Sequence, residues 1–161
     1  MAALRVLSVA VSSGRVGYVF LDGTQLLDWA VTTTVSGKAT DLVAFVQELI
    51  NTLKPDVFVT EKCDEDCRKG SQSRKLIACI AELASHNYVL DVQVARPRTF
   101  PSKYEEAESA VKRHPDLIGY LPEQKRRFYE FEPRNMIVFE ALALAEEVIH
   151  GPPDKLAAAM G

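Results

Sequence analysis

Two glutamates of this chain lie where a carboxylate could do chemistry. Glu61 directly follows the short apolar run 56–60, which predicts a buried strand, and α/β proteins place their sites at the carboxyl ends of such strands. Glu140 lies beside Ile137 and Leu144 at helical spacing, so it falls on or next to the core-facing stripe of a helix. A buried acid needs a partner or a proton. We expect Glu61 and Glu140 to share one polar cleft.

Basic side chains follow two of the predicted strands and could flank Glu61. Because cations that line a groove can contact successive phosphates, these clusters predict a nucleic-acid-binding track. The run KRRFY at 125–129 adds cations beside aromatic rings that could stack on unpaired bases. The alternative is a solvated surface of mixed charge, since acids such as Glu105 and Glu106 are interspersed with the bases. The residues of the predicted track are Arg68, Lys69, Arg74, Lys75, Arg96 and Arg98.

Apolar periodicity predicts the elements that position these residues. Three strands come first, joined by the turns at 12–14 and 22–23, and a helix capped by Thr40 follows. The chain then alternates strand, helix and strand, passes through a polar insert broken by prolines, and closes with a helix. The predicted ranges are strands 6–11, 16–21, 25–34, 56–60 and 88–94, and helices 40–54, 73–87 and 134–150.

This order resembles the RNase H-like superfamily, and within it the RuvC-like resolvase branch. The likeness is carried by VLSVAVSSGRVGYVFLD at 6–22, KPDVFVTEK at 54–62, SRKLIACIAELA at 73–84 and FEALALAEEVI at 139–149. The resemblance implies an α/β fold with a mixed sheet of about five strands, three antiparallel and then two parallel, and helices on both faces. RuvC-like proteins commonly pair, so it also implies a homodimer.

The resemblance further implies four carboxylates around two divalent metals, Mg²⁺ or Mn²⁺, that clamp a phosphodiester. The matching positions here are Ala10, Glu61, Ile137 and Glu140, so two of the four acids are absent. Glu61 and Glu140 remain as candidate catalytic and metal-binding residues. We therefore expect a protein that binds branched DNA or a duplex and whose nuclease activity is lost or reduced.

Two other functions stay open at this point. One is an active, metal-dependent, structure-selective endonuclease of the Holliday junction resolvase type. The other is a protein-docking domain with no nucleic-acid role, in which the apolar helix and cleft serve as a docking surface. Separately, Glu61 could be a strand-end carboxylate that faces solvent or pairs with Lys62 or Arg74. A nucleotide phosphotransferase is disfavoured, because the turn at 12–14 lacks the glycine-rich, lysine-containing pattern of a phosphate loop.

Length and composition suit one domain over residues 1–150, followed by a low-complexity tail at 151–161 that we expect to be mobile. The net charge of −3 gives no global attraction to nucleic acid, so any binding must be local. Cys63 and Cys67 lack partners at zinc-ligand spacing, and Cys79 is expected in the core of its helix. With no secretory signal or membrane span in the sequence, we expect a cytoplasmic protein.

Overall fold

A computed structural model describes residues 3–12, 14–33, 38–63, 69–97, 100, 102–121 and 135–150 of the chain. Five strands and four helices lie in this part, and a short 3₁₀ helix, Pro115–Tyr120, follows the third helix. The strands are β1 (Arg5–Ser12), β2 (Arg15–Asp22), β3 (Gln25–Thr32), β4 (Val57–Glu61) and β5 (Leu90–Val94). The helices are α1 (Ala39–Leu53), α2 (Ser71–His86), α3 (Lys103–Arg113) and α4 (Met136–His150).

The five strands form one mixed sheet in the order β3-β2-β1-β4-β5. The pairs β1–β2 and β2–β3 are antiparallel, whereas β4 pairs in parallel with both β1 and β5. This is the predicted arrangement of three antiparallel strands followed by two parallel ones. Because β4 and β5 run in the same direction, the residues that follow them emerge at one edge of the sheet.

Helices cover both faces of the sheet, as predicted. On one face, apolar residues of β1 such as Leu7 and Val9 pack with Leu42 of α1 and Ile80 of α2. On the other face, α3 and α4 pack against the alternate strand residues, which include Ala10. Burial on both faces of β1 and β4 explains why these strands are apolar along their length rather than alternating.

Several predicted boundaries differ from the structure for local reasons. Thr40 lies inside α1, and the residue before that helix is Lys38, which makes no side-chain cap. The predicted strand from Tyr88 is wrong at its start, because Tyr88 has a φ of 59° and β5 begins at Leu90. Helix α2 covers Ser71–His86 rather than 73–87. The start of α4 falls at Met136, and the predicted start at 134 lies outside the described residues.

Some predictions concern residues that the structure does not describe. These are the tail at 151–161, the end of the third strand at Thr34, Cys67, the run at 125–129, and Arg68 and Arg98 of the predicted track. Cys63 and Cys79 carry thiols rather than a disulfide, and Cys79 is half-buried rather than a core residue. Among the described helices, none combines the length and the apolar composition that crossing a membrane requires.

Candidate functional site

Glu61 and Glu140 are both buried, with 5 % and 7 % of their surfaces exposed. Glu61 is the last residue of β4, and its register partner in β5 is Val94. Helix α4 is held against β1 by the Ser8 hydroxyl, which donates a buried hydrogen bond of 2.7 Å to the carbonyl oxygen of Ala141, the residue after Glu140. Because only 5 % of the surface of Glu61 is exposed, the alternative in which its carboxylate faces solvent is wrong.

The two positions where the resemblance implies further acids are apolar and packed. Ala10 of β1 is opposite Gly17 of β2, and both Ala10 and Ile137 are almost fully buried. A Cβ on Gly17 would lie 2.7 Å from Cγ2 of Ile137 and 3.0 Å from its carbonyl carbon. The missing side chain at Gly17 thus lets the first turn of α4 approach the sheet closely, and Ala10 and Ile137 belong to one buried apolar cluster.

A lysine ammonium group lies directly on the carboxylate of Glu140. The Nζ atom of Lys69 is 2.9 Å from Oε1 and 3.0 Å from Oε2 of Glu140, and both side chains are largely buried. Lys69 precedes α2, and its carbonyl oxygen accepts a hydrogen bond of 3.0 Å from Nε of Arg74. Both carboxylate oxygens of Glu140 are therefore engaged by a cation of the protein.

Arg96, which follows β5, connects the acids of the cleft. Its guanidinium forms a bidentate pair with Glu106 of α3, with Nη2–Oε1 at 2.7 Å and Nη1–Oε2 at 3.1 Å. Its Nε is also 3.4 Å from Oε1 of Glu140. The Ser102 hydroxyl accepts from the backbone N–H of Glu105 and so fixes the first turn of α3, from which Glu106 projects.

The charge of Glu61 also acts on Arg96. Desolvation of the buried guanidinium lowers the pKa of Arg96, but the hydrogen bond and attraction from Glu106, together with the attraction of Glu140 and Glu61, outweigh it and raise the pKa. Glu106 and Glu140 contact the guanidinium of Arg96 directly, and Glu61 acts on it only through its charge. That Glu61 and Glu140 share one cleft stays a prediction.

The donor set of this cleft does not fit a pair of divalent metals. Two of the implied ligand positions are the buried alkyl side chains of Ala10 and Ile137, and the carboxylate of Glu140 already binds Lys69 and lies beside Arg96. Within the described ranges, no group of three or more His, Cys, Asp or Glu side chains could hold a metal ion. A hard cation requires several oxygen ligands, whereas the side chains nearest the Glu140 carboxylate are the cations of Lys69 and Arg96.

The predicted phosphate track divides into two parts in the structure. Lys69 and Arg96 face inward onto the acids, whereas Lys75 is exposed on α2 and Arg74 lies half-buried in its first turn. The solvated mixed-charge alternative is wrong at Glu106, which is buried and paired with Arg96. The basic clusters were predicted to flank Glu61 as a phosphate track, whereas in the structure Lys69 and Arg96 are ion-pair partners of Glu140 and Glu106.

Two further cations, which the sequence analysis did not select, line a cavity beside this network. Arg15 begins β2 and Lys103 begins α3, and both border the cavity together with Arg96, Glu106 and Glu140. Ser12, at the end of β1, completes its polar lining. The position of Arg15 after the first hairpin turn, at the sheet edge where β4 ends, is the signal that could have found it.

Comparisons with known proteins find similar solved structures. The chain matches Thermus thermophilus RuvC in complex with a Holliday junction substrate at 17 % identity and a TM-score of 0.56, covering 98 % of this chain and 96 % of that one. It matches the fowlpox virus resolvase bound to Holliday junction DNA at 13 % identity and a TM-score of 0.58, covering 91 % and 97 %. The yeast mitochondrial Holliday junction resolvase matches at 15 % identity and a TM-score of 0.50, covering 99 % and 82 %.

No protein-family model and no curated protein matches the sequence. The structural matches extend over nearly the whole of this chain, so they describe its complete architecture rather than a shared fragment. At these identities they establish the fold. The chain has the RNase H-like fold in the form found in RuvC and in Holliday junction resolvases.

Proposed function

We propose that this RuvC-like chain is a nucleic-acid-binding protein, directed at branched DNA, whose nuclease activity is lost or much reduced. The observation that carries the proposal is the ion pair between Lys69 and Glu140, reinforced by Arg96. In a two-metal nuclease, divalent cations clamp the attacking and leaving oxygens of the phosphodiester. Here side-chain cations neutralise the acid that would bind them.

The loss of metal binding follows from both charge and geometry. A magnesium ion would have to displace the ammonium of Lys69 from Glu140 and would meet alkyl groups at Ala10 and Ile137. Magnesium demands near-ideal octahedral oxygen ligands and gives up its water reluctantly. Glu61 and Glu140 therefore act in this proposal as counterions of Arg96 and Lys69, and the metal-binding and catalytic roles implied by the resemblance are not retained.

Nucleic-acid binding is supported by the fold and by the remaining bases. The similar Thermus and fowlpox proteins are both described in complex with Holliday junctions. Exposed Lys75 and the neighbouring Arg74 offer cations at the sheet edge where β4 and β5 end, and the proposal extends the track to Arg68 and Arg98. Contacts of this kind bind the phosphate backbone without reading sequence.

The proposal includes a homodimer, because a four-way junction presents the same backbone features more than once and two copies could contact it together. The homodimer can be tested by light scattering at the protein concentrations used in the DNA-binding experiment. A mass of twice 17.9 kDa is expected, and a monomer in both the free and the bound state would contradict it.

The experiment that tests the function is the binding of a fluorescent four-way junction and of a linear duplex of equal length in EDTA. We expect the junction to bind more tightly than the duplex, with affinity that falls steeply as salt rises, because released counterions drive association. Arg74→Gln should reduce the slope of log K against log salt by about one unit for each lost phosphate contact. No binding to either DNA would contradict the proposal and favour a protein-docking role.

A further inference from the structure

The amino-terminal turn of α2 adjoins the candidate site and is open to the outside. The helix begins at Ser71, and Lys69, whose ammonium pairs with Glu140, lies two residues before it. The residue before the helix is Gly70, so no side chain caps this end. A Cβ built on Gly70 would meet nothing within 4 Å, so a ligand could approach the turn without a clash at this position.

Three backbone N–H groups of this turn are bonded to no acceptor in the described part of the chain. The first bond of the helix joins the N–H of Arg74 to the carbonyl of Gly70 at 3.0 Å, which leaves the N–H groups of Ser71, Gln72 and Ser73 without an acceptor in the helix. No acid lies in the first turn. These N–H groups, together with the positive end of the helix dipole, suit an anion.

Ser73 adds a hydroxyl donor to the same turn. Only 7 % of the surface of Ser73 is exposed, and within the described ranges its side chain makes no hydrogen bond. Because the Cβ of a helical residue points toward the amino terminus of its helix, this hydroxyl lies over the turn that begins at Gly70. A largely buried hydroxyl without a protein partner is uncommon. An anion oxygen at this turn would complete its hydrogen bonding.

The basic residues around the turn favour a backbone phosphate as the anion. Arg74 and Lys75 follow the turn in α2, and exposed Lys62 follows β4 at the same edge of the sheet. Lys69 compensates the charge of Glu140, so that this acid repels an anion less. DNA phosphates are commonly held by N–H groups at helix amino termini together with hydroxyl and basic side chains.

We propose that the amino-terminal turn of α2 binds one backbone phosphate of the nucleic acid through the N–H groups of residues 71–73 and the hydroxyl of Ser73. The inference rests on the proposed nucleic-acid binding and adds a contact made by uncharged groups, whereas the predicted track consists of basic side chains. Because the helix holds these N–H groups in place, they fix the phosphate more narrowly than a flexible lysine side chain does.

The first test removes one N–H group from the turn. Proline is tolerated at the first position of a helix, and Gly70, with a φ of −70° and a ψ of 168°, already has the backbone that a residue before proline adopts. Binding of a fluorescent four-way junction is measured in EDTA at fixed salt. We expect Ser71→Pro to weaken binding about 5-fold, whereas Ser71→Ala, which keeps the N–H group, should change it by less than about 2-fold.

The second test removes the hydroxyl and compares Ser73→Ala with Ser85→Ala. Both serines belong to α2, but Ser85 is exposed in its last turn. We expect Ser73→Ala to weaken junction binding about 5-fold without lowering the melting temperature, because this hydroxyl makes no hydrogen bond within the described ranges. Ser85→Ala should leave both quantities unchanged. A lower melting temperature of Ser73→Ala with unchanged binding would show a structural role and overturn the inference.

A third measurement is independent of DNA. Inorganic phosphate titrated into the ¹⁵N-labelled protein at constant ionic strength should shift the amide signals of residues 71–73, and the shifts should be smaller in Ser73→Ala. Amide signals of the turn that do not respond to phosphate would contradict the site.

The outcomes separate the two proposals. If the unaltered protein binds the junction but Ser71→Pro and Ser73→Ala bind it as tightly as their controls, the phosphate site is wrong and the proposed function stands. If Ser71→Pro lowers the melting temperature and leaves binding unchanged, an acid of the chain itself, such as one at 64–66, occupies the turn, and the site is again wrong. If the unaltered protein binds no DNA, both proposals are wrong, whatever phosphate does.

Discussion

Replacing Lys69 should destabilise the fold, because Lys69 compensates a buried charge. Glu140 has 9 % of its side chain exposed and Lys69 has 14 %, with the ammonium at 2.9 Å and 3.0 Å from the carboxylate oxygens. Breaking a buried ion pair by removing one partner costs about 3–5 kcal/mol. Arg96 still lies 3.4 Å from Glu140 after the change, so we expect Lys69→Met to lower the free energy of unfolding by about 2–3 kcal/mol, below the full range for an isolated pair.

For a chain of this length, each kcal/mol corresponds to about 3 °C, so the melting temperature should fall by about 6–9 °C. Urea unfolding of Lys69→Met, Glu140→Gln and the double variant completes a double-mutant cycle. We expect the double variant to recover part of the loss, with a coupling energy of about 1–3 kcal/mol. Lys75→Met is the matched control, because Lys75 is exposed on α2, and it should change stability by less than about 0.5 kcal/mol.

Two results would refute this reasoning. If Lys69→Met and Lys75→Met had equal effects, the pair with Glu140 would behave as a surface ion pair, which contributes about 0–1 kcal/mol. If the two single effects simply added in the double variant, Lys69 and Glu140 would not interact energetically.

Two further predictions concern Asp91 of β5, which is half-buried with its Oδ1 atom enclosed, and the apolar positions near Glu140. Burial raises the pKa of Asp91 from 3.8 to about 6. The neutral carboxyl therefore stabilises the fold fully below the unfolded-state pKa, and this stabilisation is lost as pH rises through about 6 and the buried carboxyl ionises. Asp91→Asn should be more stable than the unaltered protein near pH 7.5, and urea titrations should show that the difference vanishes near pH 4. The double variant Ala10→Asp with Ile137→Asp should still bind magnesium weakly, as measured by calorimetry, because Lys69 remains paired with Glu140. Adding Lys69→Ala to this double variant should increase its affinity for magnesium. Tight magnesium binding with Lys69 intact would contradict the blocking role of that residue.

Most strands and helices could be predicted because they depend on local apolar periodicity, whereas the mixed sheet with helices on both faces was implied by the resemblance to RuvC-like proteins. The run 56–60 read as a strand buried on both faces, and the spacing of Leu42, Val46 and Ile50 matches the buried stripe of α1. The errors fell at the ends of elements, and one of them has a clear local reason. Tyr88 has a high strand propensity but adopts a left-handed φ of 59°, and no pattern in the sequence indicates it.

The placement of Glu61 and Arg96 at one edge of the sheet could be predicted, but the contacts of Glu140 could not. Because β4 and β5 are parallel, their carboxyl ends lie at the same edge of the sheet. Residues 61 and 96 therefore lie at that edge whatever their side chains are. The pair between Lys69 and Glu140 joins residues 71 positions apart, and its geometry depends on how α4 packs over the Ala10–Gly17 pair. Opposite charges at one sheet edge were visible in the sequence, and reading them as partners would have predicted the network.

The most direct test of the central claim is cleavage of a four-way junction by the unaltered protein with Mg²⁺ or Mn²⁺, compared with binding of the same junction in EDTA. Because Lys69 and Arg96 occupy the acid that would hold the metals, we predict that the protein binds the junction without metal and produces no cut strands with either ion. Robust metal-dependent cutting that disappears in Glu61→Gln would contradict the account and establish a structure-selective endonuclease.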